Sequence, residues 1–147
     1  MMRRLALLTL ACCLAVSTAQ AQEPAEPLTI VEVLDDTMKY HLQVVHLQGT
    51  VRHVEEIEPY YLPTGSACYG AYRFVLVDDT GMVPVSVLGI CGRPVIRPPE
   101  VSEGDTILLD ASIERLQTNT TAEEPGAEGK SVNTVRAVAK KITRLGN

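Results

Sequence analysis

The sequence predicts an all-β domain in which one short helix precedes five strands. Two observations predict this fold class. The spacing of the apolar residues changes from a helical repeat to strict alternation after Leu42. From that point, segments rich in glycine and proline separate five apolar stretches, as turns separate the strands of a barrel or a sandwich. The length of 147 residues is that of one domain.

The N-terminal residues have the composition of a secretory signal peptide. Two arginines precede a stretch of twelve mostly apolar residues, and Ala19-Gln20-Ala21 fits an A-x-A cleavage site. A stretch of twelve is too short to span a bilayer as a helix. We therefore expect residues 1–21 to be a signal peptide, residues 22–28 to be a flexible segment and residues 29–147 to form the domain.

The four cysteines divide into two groups. Cys12 and Cys13 lie in the expected leader, and the residues before Cys12 lack the leucine usual in lipoprotein signals, which argues against a lipoprotein. Cys68 and Cys91 remain, and two thiols in an exported chain most simply form one disulfide. The histidines have no zinc-like spacing to these cysteines. We therefore predict a disulfide, no metal and no cofactor.

The charge of the chain is acidic and uneven. The net charge of −5 becomes −7 without the two leader arginines, with 11 basic and 18 acidic residues left. Such a chain is a poor candidate for a generic polyanion binder. After Glu128, however, five basic residues occur without an acid, and they either flank a groove or are solvated positions on the last strand: Lys130, Arg136, Lys140, Lys141 and Arg144.

The helix and the first strand follow from local patterns. Thr29 and Glu32 match a capping box and predict a helix over residues 29–39. Alternation over residues 43–52 then predicts a strand that is buried on one face. Gly49, on the buried face, indicates a bulge or a tight bend.

The remaining elements are bounded by turn residues. Strands are predicted at 72–77, 82–88, 106–116 and 135–145, a turn at 78–81, and irregular or loop segments at 55–71, 89–105 and 117–134. Pro84 has no N–H, so we expect it at an edge or at a bulge.

Several short motifs, in this order, resemble the OB-fold superfamily. They are Val45-His-Leu-Gln-Gly-Thr-Val51, Phe74-Val-Leu-Val-Asp-Asp-Thr-Gly81, Val83-Pro-Val85, Gly104-Asp105 and Ala139-x-x-Ile142. The resemblance covers about residues 40–145 and implies a five-stranded Greek-key barrel.

Two groups within that superfamily are similar to this chain. The segment from Lys39 to Gly49 resembles tRNA-anticodon-like OB domains. A Thr-x-x-Glu helix before the first strand, here Thr29 to Glu32, is similar to that of small exported bacterial OB-fold proteins linked to stress tolerance.

The resemblance also implies where a ligand would bind. OB folds usually bind across strands two and three, between the loops that follow strands one and four. Five of the six aromatic residues lie between Tyr60 and Phe74, and flat rings can stack on bases or sugars, unless they pack the barrel end around Cys68. The expected ligand-binding residues are Arg52, Tyr60, Tyr61, Tyr72, Arg73, Val75, Ser86 and Arg93.

The residues do not predict catalysis. A polar turn explains Asp78 and Asp79, and no motif supports a nucleophile with its base. We expect a non-catalytic, exported, periplasmic module that binds a small ligand or an envelope protein. The alternative is a single-stranded nucleic-acid-binding protein. Against this alternative, Glu55, Glu56 and Glu58 open the loop that would border the groove.

Overall fold

The computed structural model describes residues 26–119 and 131–146. The expected signal peptide, most of the segment 22–28 and residues 120–130 lie outside the described residues. The described chain forms two helices, α1 (Ile30–Asp35) and α2 (Thr37–Tyr40), followed by strands. The strands are β1 (Val44–Glu56), β2 (Tyr60–Tyr61), β3 (Ala67–Tyr69), β4 (Tyr72–Val77), β5 (Met82–Val87), β6 (Ile90–Cys91), β7 (Thr106–Asn119) and β8 (Ser131–Arg144).

Five of these strands form a closed barrel in the order β1–β4–β5–β8–β7, with β7 returning to β1. All neighbours are antiparallel except β5 and β8, which run parallel and pair at Val85–Ala137 and Ser86–Val138. The barrel confirms the predicted all-β, OB-like fold, and its strands correspond to the five predicted ones.

Alternation places one side chain in two inside the barrel. On β1, Val45, Leu47 and Val51 are buried while their neighbours face outward. The same alternation on the other strands completes a single core. Its largest buried side chains include Tyr72, Phe74, Ile30, Leu47, Leu76, Ile107, Leu109 and Ile113.

The predicted helix over residues 29–39 is divided in two at Asp36. The capping box is present: the Thr29 side chain accepts from the Glu32 N–H, and the Glu32 carboxylate accepts from the Thr29 N–H. Asp36 leaves the helical region (φ −127°, ψ 58°), and its carboxylate accepts from the Lys39 N–H at 3.2 Å. Asp36 therefore ends α1 and caps α2.

Asp78 ties α1 to the turn between β4 and β5. Its carboxylate accepts from the backbone N–H of Ile30 at 2.8 Å, from that of Gly81 at 2.8 Å and from that of Thr80 at 2.7 Å. The Thr80 hydroxyl adds a further bond at 2.6 Å. Ile30 and Val33 of α1 are buried in the barrel core, so this carboxylate fixes the helix over the barrel.

The bulge in β1 does not lie at Gly49. The register of β1 against β4 shifts between Arg52 and Glu55, where His53 has a positive φ of 53°. Gly49 instead allows a close approach, because a Cβ at this position would lie 2.6 Å from the carbonyl oxygen of Val77.

The sequence predicted a loop over residues 55–71, but the structure has strands within this segment. β1 continues past the bulge to Glu56, which pairs with Tyr72. β2 and β3 then form a small sheet with β6 in the order β2–β3–β6. Strands of two or three residues are too short to show alternation, so the pattern could not reveal them.

The last two strands are longer than predicted and shorten the expected loop at 117–134. β7 extends to Asn119 and β8 begins at Ser131, and these two residues face each other in register. The sequence at these strand ends is mostly polar, Gln117-Thr-Asn119 and Ser131-Val-Asn133, so it shows no apolar alternation that would mark a strand.

Pro84 lies within β5, opposite Val75 of β4. On the other side of β5, the pairing with β8 starts only at Val85. Within the described chain, Pro84 therefore pairs with no strand on that side, which agrees with the predicted edge position.

Replacing Gly49 with alanine should destabilise the fold by about 1–3 kcal/mol, because the new methyl group must displace the β4 backbone. Urea unfolding monitored by circular dichroism measures the change. Gly146→Ala is the matched control, since a Cβ there meets nothing within 4 Å. Equal midpoints for the two variants would contradict the close approach.

Asp78 should make stability depend on pH. Burial acts to raise the pKa of Asp78, but the bonds from Thr80, Ile30 and Gly81 outweigh it and hold the pKa below its usual range. The stabilisation is therefore present above the unfolded-state pKa of about 3.9 and is lost as pH falls through the lower folded value. Asp78→Asn should be less stable than the natural chain at pH 7, with a gap that narrows below about pH 4.

Urea midpoints between about pH 2 and pH 7 test this expectation. Asp79→Asn, next along the chain, is the control and should follow the natural profile. A stability gap for Asp78→Asn that stays constant down to about pH 2 would refute the assigned role of the charge.

Candidate binding face and disulfide-linked loop

Four of the expected binding residues share the outer face of the barrel. Arg52 of β1 lies opposite Val75 of β4, and Arg73 of β4 lies opposite Ser86 of β5. The residues before and after Arg73 and Ser86 are buried, and so is Val51, which precedes Arg52. The structure therefore brings Arg52, Arg73, Val75 and Ser86 together, and we call this surface the β1–β4–β5 face.

Both arginines of this face are paired with carboxylates. Arg73 contacts Glu55 through Nη2 at 2.8 Å and through Nε at 2.9 Å, and Arg52 lies 3.6 Å from Glu103. The side chains are about half exposed, and such pairs contribute about 0–1 kcal/mol to stability. Their larger effect is on the charge of the β1–β4–β5 face, because the two carboxylates compensate its two arginines.

The sequence predicted Tyr72 among the ligand-binding residues, but in the structure it is not part of the β1–β4–β5 face. Its ring is fully buried and stacks on Phe74 with centroids 6.3 Å apart. Its hydroxyl accepts from the Glu100 N–H at 3.3 Å, and burial raises the pKa of the phenol. Strand alternation was the available signal, because Tyr72 must share the inward face of Phe74, two residues away.

Tyr60 and Tyr61 lie on β2, next to the barrel. Tyr61 is 75% exposed and Tyr60 is half-buried. They pair in register with Cys68 and Ala67 of β3. The small sheet therefore presents one exposed ring to solvent.

The predicted disulfide between Cys68 and Cys91 is confirmed and joins β3 to β6. The two cysteines face each other in register and lie 23 positions apart in the sequence. Cys68 is fully buried. The bond therefore fastens the start of the segment 92–99 to the small sheet.

The basic residues of β8 are partly compensated. Arg136 contacts Glu114 of β7 at 2.7 Å, and Arg144 lies 3.5 Å from Asp105. Lys140 and Lys141 are exposed, and so is Arg93 in the segment after β6; among the described residues none of the three makes an ion pair. Lys130 lies outside the described residues.

The histidines lie apart on the surface. His46 bonds to Asp110 of β7 through Nδ1 at 2.8 Å, His53 occupies the bulge of β1, and His41 follows α2. In the described ranges, no group of three or more His, Cys, Asp or Glu residues is placed to hold a metal ion. Nor is any described helix long and apolar enough to cross a membrane.

Sequence reasoning missed the acidic partners of the face. Glu55 was assigned to the segment 55–71 and Glu103 to the segment 89–105, and neither lies near its arginine in the sequence. Their positions depend on the continuation of β1 past the bulge and on the return of the chain into β7. Opposite charges alone do not identify such pairs.

Comparison with solved structures finds a crystal structure assigned as an aspartyl-tRNA synthetase from Leishmania major Friedlin. It is 12% identical with a TM-score of 0.49, and the alignment covers 86% of this chain and 22% of that chain. The chain thus spans about a fifth of the length of that protein. No family model and no curated protein matches the chain. The OB-like assignment rests on the strand order of the barrel itself.

Removing the disulfide with Cys68→Ser and Cys91→Ser should lower the free energy of unfolding by about 3 kcal/mol, because the unfolded chain gains the freedom of the open loop. Chemical unfolding of this variant is compared with that of the natural chain with and without reductant. The reduced natural chain should match the double variant. Equal midpoints for the oxidised and reduced natural chain would contradict a stabilising bond.

Proposed function

We propose that the chain is an exported, non-catalytic binding module of the cell envelope, which engages a protein partner or a small ligand through the β1–β4–β5 face. This proposal combines the OB-like barrel with the side chains on the surface where such barrels usually bind. A fold alone does not determine function, so the chemistry of the face carries the argument.

The observation that carries the proposal is the charge compensation of the face. A surface that binds the phosphates of a nucleic acid needs cations that are free to replace counterions. Here Glu55 compensates Arg73 and Glu103 lies beside Arg52. The surface between them carries Val75, Pro84 and Ser86. A mixed polar and apolar surface of this kind suits a protein or a small organic ligand better than a polyanion.

Two features support export to an oxidising compartment. The first 21 residues have the three regions of a signal peptide. The disulfide between Cys68 and Cys91 is of a type that persists in the periplasm or outside the cell. Together they support a periplasmic location for the mature chain.

A second candidate function is single-stranded nucleic-acid binding. It is favoured by Arg93, Lys140 and Lys141, which form no ion pair with the other described residues, and by the exposed ring of Tyr61. Aromatic stacking together with free cations is the usual basis of such binding.

A photoreactive amino acid at Ser86 tests the proposed face. In the native envelope, we expect defined adducts at Ser86 and none at Thr143, an exposed control position on the outer surface of β8. Intact-mass spectrometry distinguishes a protein adduct from a small-molecule adduct. Absence of any adduct at Ser86, or equal labelling at both positions, would refute the proposal.

The nucleic-acid alternative is tested by mixing the natural protein with labelled single-stranded DNA at about 50 and 200 mM salt. We expect no retention even at the lower concentration. Retention that falls steeply between the two would instead establish the nucleic-acid alternative, because released counterions produce that dependence.

A further inference from the structure

A cleft of about 280 Å³ lies beside the small sheet. Residues 56–59 form one wall, residues 69–71 the floor and residues 95–98 the second wall. We call it the proline cleft, because Pro59 and Pro98 stand on opposite walls. None of the four residues of the β1–β4–β5 face lines this cleft.

Contacts with the floor hold both walls in place. The Ile57 N–H donates to the carbonyl of Ala71 at 2.9 Å, which fixes the first wall to the floor. Gly70 has a φ of 69°, and a Cβ there would lie 2.7 Å from the Cβ of Arg97. The second wall therefore packs directly on the floor. The disulfide at Cys91 anchors the chain that leads into this wall. The cleft is thus formed before any ligand binds.

The cleft combines apolar walls with negative charge. Ile96 is fully exposed and Ile57 is 37% exposed, so both offer apolar surface to a ligand. Arg97 is compensated by Glu100, with Nη2 and Oε1 2.5 Å apart. Neither Glu56 nor Glu58 makes an ion pair within the described part of the chain. Two negative charges at the first wall are therefore uncompensated.

We propose that the proline cleft docks a basic and apolar segment of a protein partner. A lysine or arginine would face Glu56 and Glu58, and an adjacent aliphatic side chain would contact Ile96. This inference rests on the proposed binding function and specifies the chemistry of the partner. The charge of the cleft repels phosphates, and its volume admits only one or two side chains, so the remaining contacts come from the surface of a larger molecule.

The test uses a fluorescein-labelled, end-blocked peptide of alternating leucine and lysine, with anisotropy measured on the mature, disulfide-bonded protein. We expect saturable binding that weakens with salt. The double variant Glu56→Gln with Glu58→Gln should bind about tenfold more weakly, since it loses both charges. Ile96→Ser should also weaken binding, with little loss of its salt dependence.

Controls separate the cleft from the general charge of the protein. Asp35→Asn with Asp79→Asn changes the net charge equally at exposed positions outside the cleft, and should bind as the natural chain does. Peptides with leucine replaced by serine, or lysine by glutamate, should not bind. Equal weakening by the two double variants, or equal binding of the glutamate peptide, would overturn the inference.

The outcome is independent of the test of the face. If the leucine–lysine peptide fails to bind while Ser86 still forms adducts, the cleft inference is wrong and the proposed module stands. If the peptide binds in the cleft while Ser86 forms none, the cleft inference stands and the proposed use of the face is wrong.

Discussion

Closure of the sheet by β8 is the constraint on which the rest of the structure depends. β8 pairs with β7 along almost its whole described length but with β5 at only two positions, Val85 and Ser86. The long ladder positions β8, and the short parallel contact joins the two ends of the sheet. A closed sheet directs the inward side chains of five strands into one core. The helix α1 then packs on that core and is fixed by Asp78.

The continuation of β1 past its bulge decides the charge of two neighbouring surfaces. Because β1 continues past its bulge at His53, Glu55 lies opposite Arg73 and compensates its charge. The same continuation carries Glu56 and the following residues to the edge of the small sheet, where they form a wall of the proline cleft. One surface is therefore balanced in charge and the neighbouring cleft is acidic, although both begin on the same strand.

Local patterns predicted most of the barrel. Strands β1, β4 and β5 were placed within a few residues of their observed bounds, because each has one buried face and so alternates. The capping box placed the start of α1. The predictions were wrong where the pattern carries no such information: the short strands β2, β3 and β6, and the polar ends of β7 and β8. The four outward residues of the β1–β4–β5 face were predicted to share one surface, as they do. Tyr72 was assigned to the same surface although the alternation of β4 places it inward.

Alternation is local, so the sequence by itself placed the five barrel strands along the chain, and the resemblance to the OB-fold superfamily implied that they form a barrel. The pairing of Cys68 with Cys91 was predicted because the other two cysteines lie in the expected leader. Only the tertiary structure decides the partners of Arg52 and Arg73, the hydrogen bond from the Glu100 N–H to the Tyr72 hydroxyl, and the proline cleft. They bring together residues that are distant in the chain, and such contacts depend on how the closed barrel positions its loops.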